Sequence, residues 1–282
     1  MMPTGIGDQL RACGRKGLPR RIRTCGGEYR LVRPFKHDFF AATGLYECVG
    51  DGVQRADLPA GRVVLKLGRQ ADFLGLPLSW LGELVSRHEI EILRRLSGVR
   101  GVPRFLGRYG RTGLIYEYIA GRSLDEGGAV PDDFFDQLEG LAKGIHERGV
   151  AYVDMNKRGN ILLGSDNQAH LVDFQISLYV SRRMRRWCRP LGYLLGALQK
   201  EDIYHIYKHK RRLRADLMDE GQLRDSRRVS KWVALHRGVS KPLTNIRRRV
   251  LNFLYHKGRL VTWETRGESG ETDPLRWGKY RK

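Results

Sequence analysis

Three oxygen-bearing side chains, Asp154, Asn160 and Asp173, stand among turn-forming residues in the second half of the chain, and Lys66 and Glu89 stand in the first half. Carboxylate and amide oxygens suit a hard divalent cation such as Mg²⁺. An ammonium group suits phosphate oxygens, and a carboxylate can orient an attacking hydroxyl. Together these are the needs of phosphoryl transfer, in which the protein supplies mainly positioning and electrostatic stabilisation. Singly, each residue has a plainer reading, such as a loop carboxylate beside a buried strand or a surface lysine. The ordered set carries the chemistry.

The surrounding pattern says what must position them. Gly149-Val150-Ala151-Tyr152-Val153-Asp154 leads into Asn160-Ile161-Leu162-Leu163, then His170-Leu171-Val172-Asp173-Phe174. Short strands over Asn160–Leu163 and Ala169–Phe174 flank a Ser165-Asp166-Asn167 turn. Upstream, Pro131–Arg148 reads as a helix. Pro131 is tolerated in a first turn, Asp132 and Asp133 suit the positive end, and Phe134, Phe135, Leu138, Leu141, Ala142 and Ile145 recur at helical spacing. Strands are expected at Tyr29–Val32, Phe39–Cys48, Arg62–Leu67, Val102–Tyr109 and Gly113–Ile119, with a hairpin connection over Gly50–Gly61. A helix is expected over Leu81–Ser97. In it Glu89 has Ile92, Leu93 and Leu96 at helical spacing, so it faces the apolar side while Glu91 points elsewhere.

An Asp after a helix, an Asn several residues on, a short hairpin and then apolar-Asp-Phe resembles the catalytic and metal loops of the protein-kinase-like superfamily. The resemblance covers roughly residues 30–178. It implies an α+β, bilobal fold: a small, mainly antiparallel β N-lobe with one helix, and a helical C-lobe. It implies ATP and Mg²⁺ as cofactors. Asp154 would be the catalytic base or orient the acceptor, and Asn160 and Asp173 would hold the metal. Lys66, from Val63-Val64-Leu65-Lys66, would grip phosphate and pair with Glu89. Val64 and Leu162 would line the adenine site. Glu117 and Ile119, in Leu114-Ile115-Tyr116-Glu117-Tyr118-Ile119-Ala120-Gly121, would offer backbone hydrogen bonds to adenine.

Departures narrow the resemblance. No G-x-G-x-x-G precedes Lys66; its counterpart would fall near Ala41-Ala42-Thr43-Gly44-Leu45-Tyr46, which holds one glycine. The interval from Asp154 to Asn160 is one residue longer than usual. Tyr152-Val153 replaces the usual His-Arg, Gln175 replaces the glycine after Asp-Phe, and no Ala-Pro-Glu follows. These changes point toward compact kinases of small or glycan acceptors. The chain resembles the bacterial lipopolysaccharide-core (Kdo and heptose) kinase group, which implies a saccharide or lipid-linked glycan as acceptor. A Ser/Thr protein kinase and a non-catalytic nucleotide-binding scaffold are the alternatives.

Composition bounds the partners. Of 282 residues, 52 are basic and 31 acidic, a net charge of +21, which must attract something anionic. Residues 180–260 hold 22 Lys or Arg against six Asp or Glu, including the clusters at 182–187, 208–212 and 247–249. Nucleic acid is not expected, because no base-stacking module accompanies the charge. An anionic membrane surface fits better; the apolar stretch Phe73–Leu81 with Trp80 is too short to span, and either seats in an interface or packs in the ordinary way against the N-lobe. The four scattered cysteines (Cys13, Cys25, Cys48, Cys188) suggest neither a zinc site nor a disulfide framework. The expected location is cytoplasmic, peripheral at the inner membrane. The expected layout is a mobile basic arm over 1–27, an N-lobe over 28–120, a helical C-lobe over 121–260 and a tail over 261–282.

Overall fold

The computed structural model describes residues 9–24, 26–49 and 61–227. The expected hairpin connection at 50–60, the basic cluster at 247–249 and the tail at 261–282 lie outside them. The architecture is mixed α+β, with an antiparallel sheet early in the chain and helices late. Among the described residues, no helix is long and apolar enough to cross a membrane.

The chain falls into two compact units. The first runs to His88 and includes Phe105–Tyr118; the second takes Glu89–Arg104 and continues from Ile119. The division therefore differs from the single boundary expected near residue 120, and it falls inside a helix.

In the first unit, six strands pair in the order β1-β2-β3-β4-β6-β5, all antiparallel. They are β1 (Arg21–Thr24), β2 (Gly27–His37), β3 (Ala41–Cys48), β4 (Arg62–Gly68), β5 (Phe105–Tyr109) and β6 (Gly113–Glu117). Strand period two sends Val63, Leu65 and Leu67 of β4 into a core with Ala42, Tyr46 and Ile115. The same period puts Val64 and Lys66 on the opposite face.

The expected mobile arm is corrected for residues 9–24. Ala12 and Cys13 are buried in that core with Ile22, and Arg21–Thr24 adds a strand to the sheet. Buried Arg69 holds the segment in place. Its guanidinium donates to the carbonyls of Phe39 (2.9 Å), Gln9 (2.5 Å) and Asp72 (3.2 Å), and lies 3.9 Å from the centre of the Phe39 ring. Arginine-rich composition suggested a solvated arm. The alternation that places Ile22 inward between exposed arginines is too short to read as a strand.

Helix α1 (Ser79–Arg95) carries Glu89. In the second unit, α2 (Phe134–Glu147) buries all six expected apolar residues. It starts three residues after Pro131, whose carbonyl accepts from the Phe134 amide at 3.2 Å in a preceding turn. Gly149, at φ +78°, ends it; a Cβ there would sit 2.8 Å from the Val180 carbonyl oxygen. Strands β7 (Gly121–Ser123), β9 (Ile161–Gly164) and β10 (Ala169–Leu171) form a three-stranded sheet, and β8 (Val150–Ala151) pairs with β11 (Leu178–Tyr179). The short helix α3 (Arg182–Trp187), the 25-residue α4 (Arg189–Leu213) and α5 (Glu220–Arg227) follow.

Candidate active site

The site is built around the chain between β8 and β9. Gly149 turns α2 into β8, which pairs with β11 through Ala151 and Leu178. The chain then enters Tyr152 and Val153, whose amides both donate at 2.8 Å to the buried carboxylate of Asp202 on α4. His146 of α2 is 3.0 Å from the same carboxylate, so Asp202 fastens two elements at once. His209, also on α4, approaches the Met155 carbonyl at 3.0 Å, and Lys208 donates to the Asn156 side chain at 2.8 Å. Four points of the loop, at 152, 153, 155 and 156, on either side of Asp154, thus hang from one helix.

That scaffold presents Asp154, which is 8% exposed. Its Oδ2 accepts from Lys157 Nζ at 2.6 Å and from Asn160 Nδ2 at 2.9 Å. The extra residue between Asp154 and Asn160 is absorbed locally. The Lys157 amide bonds back to the Asp154 carbonyl, the Asn160 amide to the Lys157 carbonyl, and residues 158–160 close a single 3₁₀ turn. The longer spacing therefore still delivers Asn160 to Asp154.

Asp173 follows β10 at the end of a tie from the Val172 amide to the Asn160 carbonyl, 3.0 Å. Burial pushes the Asp154 carboxyl above its usual range, Lys157 opposes this, and the nearby Asp173 carboxylate raises it further. The Tyr152 phenol is raised for the same reasons: complete burial first, then the charges of Asp173 and Asp154. Its ring meets Phe174 edge-on at 5.1 Å and its hydroxyl donates to the Val172 carbonyl. Asp154, Asn160 and Asp173 are thereby gathered around one tyrosine.

Two site residues, Val153 at φ +71° and Asp173 at φ +63°, hold left-handed backbone, which costs about 1–3 kcal/mol each. Gln175 has no positive φ, so the missing glycine is not needed there; the special conformation belongs to Asp173.

The other expected residues are placed as follows. Lys66 sits mid-strand in β4, paired in register with Thr43 and Leu114, and is buried, as is Val64. Glu117 ends β6 opposite Val63. These three belong to the first unit. In the second unit, Glu89 is buried with Ile92, Leu93 and Leu96, while Glu91 is exposed and paired with Arg95. Leu162 of β9 is half-buried between Ser123 and His170 in register, and Ile119 is half-buried just before β7.

The segment near 41–46 lies in strand β3, inside the strand expected over Phe39–Cys48, and Gly44 is there for packing: a Cβ would lie 2.8 Å from methyls of Leu18 and Leu31. The tight turn before it is Asp38-Phe39-Phe40. The Asp38 side chain already accepts from the Phe40 and Ala41 amides at 2.9 Å each, and pairs with Lys36. Those amides are satisfied internally.

Asp202, Lys157 and His209 were not legible as site residues. Asp202 carried one signal, its place seven residues after Leu195 and four before Ile206 on the buried face of α4, where a carboxylate requires a partner. No protein-family model matches the chain, and no curated protein matches it.

Proposed function

We propose that this chain is an ATP-dependent phosphotransferase of protein-kinase-like fold, acting on a hydroxyl acceptor. The observation that carries the reading is the meeting of Asp154 with Asn160 in the field of Asp173, on a loop braced by buried hydrogen bonds. A braced carboxylate of raised proton affinity suits an acceptor for a hydroxyl proton, because a general base works best with a pKa near the operating pH.

In this reading, Asp154 orients the acceptor hydroxyl through Oδ1 and takes its proton, while Oδ2 is steadied by Lys157 and Asn160. The residues fit a hard cation. The Asp173 carboxylate, whose charge raises the proton affinity of Asp154, favours positive charge beside the pair, and the Asn160 amide nitrogen is committed to Asp154, leaving Oδ1 as its oxygen donor. Among the described residues there is no group of three or more His, Cys, Asp or Glu that could cage a metal. Mg²⁺ would therefore be held by Asp173 and Asn160 together with phosphate oxygens, and would supply charge neutralisation on the phosphates. In the first unit, Lys66 would grip phosphate and Val64 and Glu117 would serve adenine binding; in the second, the resemblance gives Glu89 a phosphate-side role and Leu162 and Ile119 an adenine-side one. The acceptor proposed is a saccharide or lipid-linked glycan, since no docking segment for a peptide follows Asp173 in the sequence.

The Asp38 turn favours a second reading, a nucleotide-binding scaffold without turnover, because its self-satisfied amides offer little to a phosphate. The two are separated by incubating the full chain with γ-labelled ATP, Mg²⁺ and a membrane extract. Transfer to the extract, reduced about 10²–10⁴-fold by Asp154→Asn with ATP binding retained, is the expected result. Asp173→Ala should remove Mg²⁺-dependent ATP binding. Label on protein alone would instead indicate a protein kinase, and nucleotide binding without transfer would indicate the scaffold.

A further inference from the structure

Leu74, Leu76, Trp80 and Leu84 are 69%, 63%, 58% and 58% exposed, all within one short stretch of the first unit. Exposed apolar residues scattered singly need no explanation, but four large ones between positions 74 and 84 do. Leu74 and Leu76 belong to a two-residue hairpin in which the Phe73 and Leu76 amides and carbonyls exchange bonds of 3.0 and 2.9 Å. Its central residues, Leu74 and Gly75, have φ of +50° and +80°. Such a turn favours Asn-Gly, and a leucine at the first position is strained. Trp80 and Leu84 follow one turn apart on the outer face of α1.

The hairpin is built, not loose. The Leu74 amide donates to the Gln9 side chain at 3.0 Å, Arg69 holds the Asp72 carbonyl, and the Phe73 ring packs edge-on against Phe39 at 5.3 Å. The chain thus tolerates backbone strain to hold two leucines outward. A purely structural turn would be more stable with asparagine at 74.

The charge beside the ridge is positive. Glu83, next to Leu84, is bracketed by Arg87 and Arg111 at 2.7 Å each, and Arg108 also lies close enough to lower its carboxyl pKa. Three guanidinium groups surround one carboxylate at the end of an apolar stripe. A second copy of this chain, itself at +21, is a poor occupant for such a surface. Nucleic acid offers base faces for aromatic stacking, whereas three of the four ridge residues are leucines.

We propose that the ridge Leu74–Leu76–Trp80–Leu84, with Arg87, Arg108 and Arg111 at its edge, is a docking surface for an anionic lipid bilayer. The leucines and tryptophan enter the acyl–headgroup boundary and the arginines meet lipid phosphates, each near-surface charge adding about 1 kcal/mol. The inference does not rest on phosphotransfer.

The test is flotation of the full-length chain with phosphatidylcholine vesicles, with and without phosphatidylglycerol, at low and high salt. The wild type is expected to float with the anionic vesicles, less so at high salt. Leu76→Ser/Trp80→Ser should reduce partition by about tenfold or more. Arg87→Gln/Arg111→Gln should weaken binding to anionic vesicles alone. Leu74→Asn should weaken binding while raising the melting temperature, a pairing that a merely structural hairpin would not give. The proposal is overturned if the ridge variants float like the wild type, which would assign binding to basic clusters elsewhere. It is equally overturned if the wild type is a dimer that Leu76→Ser/Trp80→Ser dissolves, or if RNA rather than lipid is released by those changes. A protein that floats but transfers no phosphate sinks only the catalytic reading; one that transfers phosphate but does not float sinks only this one.

Discussion

The loop at 152–156 and the hairpin at 73–76 both hold non-glycine residues in left-handed backbone, but they are restrained in different ways. Val153 is held from within: its amide is bonded to buried Asp202 and its side chain packs with Ala151, Val180 and Leu195. Leu74 is held through its own amide and the backbone of its turn, while its side chain is largely in solvent. Strain at the first site is over-determined by a core, as expected where geometry must not drift. Strain at the second is tolerated in order to keep an apolar side chain outside.

The comparison can be broken most forcefully at Asp202. Asp202→Ala leaves one buried and one partly buried amide, and His146, without their acceptor and should cost about 4 kcal/mol, read in denaturant unfolding. A loss under about 1 kcal/mol would mean that the loop is braced by something else. Acid is the next lever. Burial first, with Lys208, Arg212 and His205 nearby, lowers the His209 ring to about 4 despite its bond to the Met155 carbonyl. A ring with a lowered folded pKa refuses a proton that the unfolded chain accepts. Stability is therefore unaffected above about pH 6.5 and declines as pH falls toward 4, by about 3 kcal/mol for this residue. His37, in the first unit, is lowered to about 4 by burial and then Arg11 and adds a similar decline. His209→Gln, which keeps a donor for Met155, should remove roughly half of the acid loss measured by thermal melts across that window. The smallest effects are the most discriminating. Leu74→Gly should gain up to about 1 kcal/mol from relieved strain. Val153→Gly should gain nothing or lose about 1 kcal/mol, because the methyl packing lost offsets the same relief. Equal shifts at the two positions would erase the distinction.

Much of the fold is written in the sequence itself, for identifiable reasons. The apolar face of α2 and the order Asp154, Asn160, Asp173 are local patterns, and local patterns survive in a linear string. The side choice on α1 was also legible, since Glu89 shares its face with Ile92, Leu93 and Leu96. What failed depended on contacts distant in sequence. Nothing near Arg69 announces that it will be enclosed by carbonyls from residues 9, 39 and 72 and an aromatic ring, so residues 9–24 read as solvated. Nothing beside Gly44 in the string announces that its bare Cα admits the methyls of Leu18 and Leu31. Asp202 lies about fifty positions from the amides it binds, and its basic surroundings suggested surface.

The α4 attachment has a consequence for heredity. Because residues 202, 208 and 209 grip a loop roughly fifty positions earlier, the gene encodes one mechanical part in two separated stretches. Three of the four grips reach backbone atoms, which any side chain leaves in place, so substitution is constrained at residues 202 and 209 and not at their partners; only Lys208 and Asn156 are joined side chain to side chain, and that pair alone calls for a matching second change.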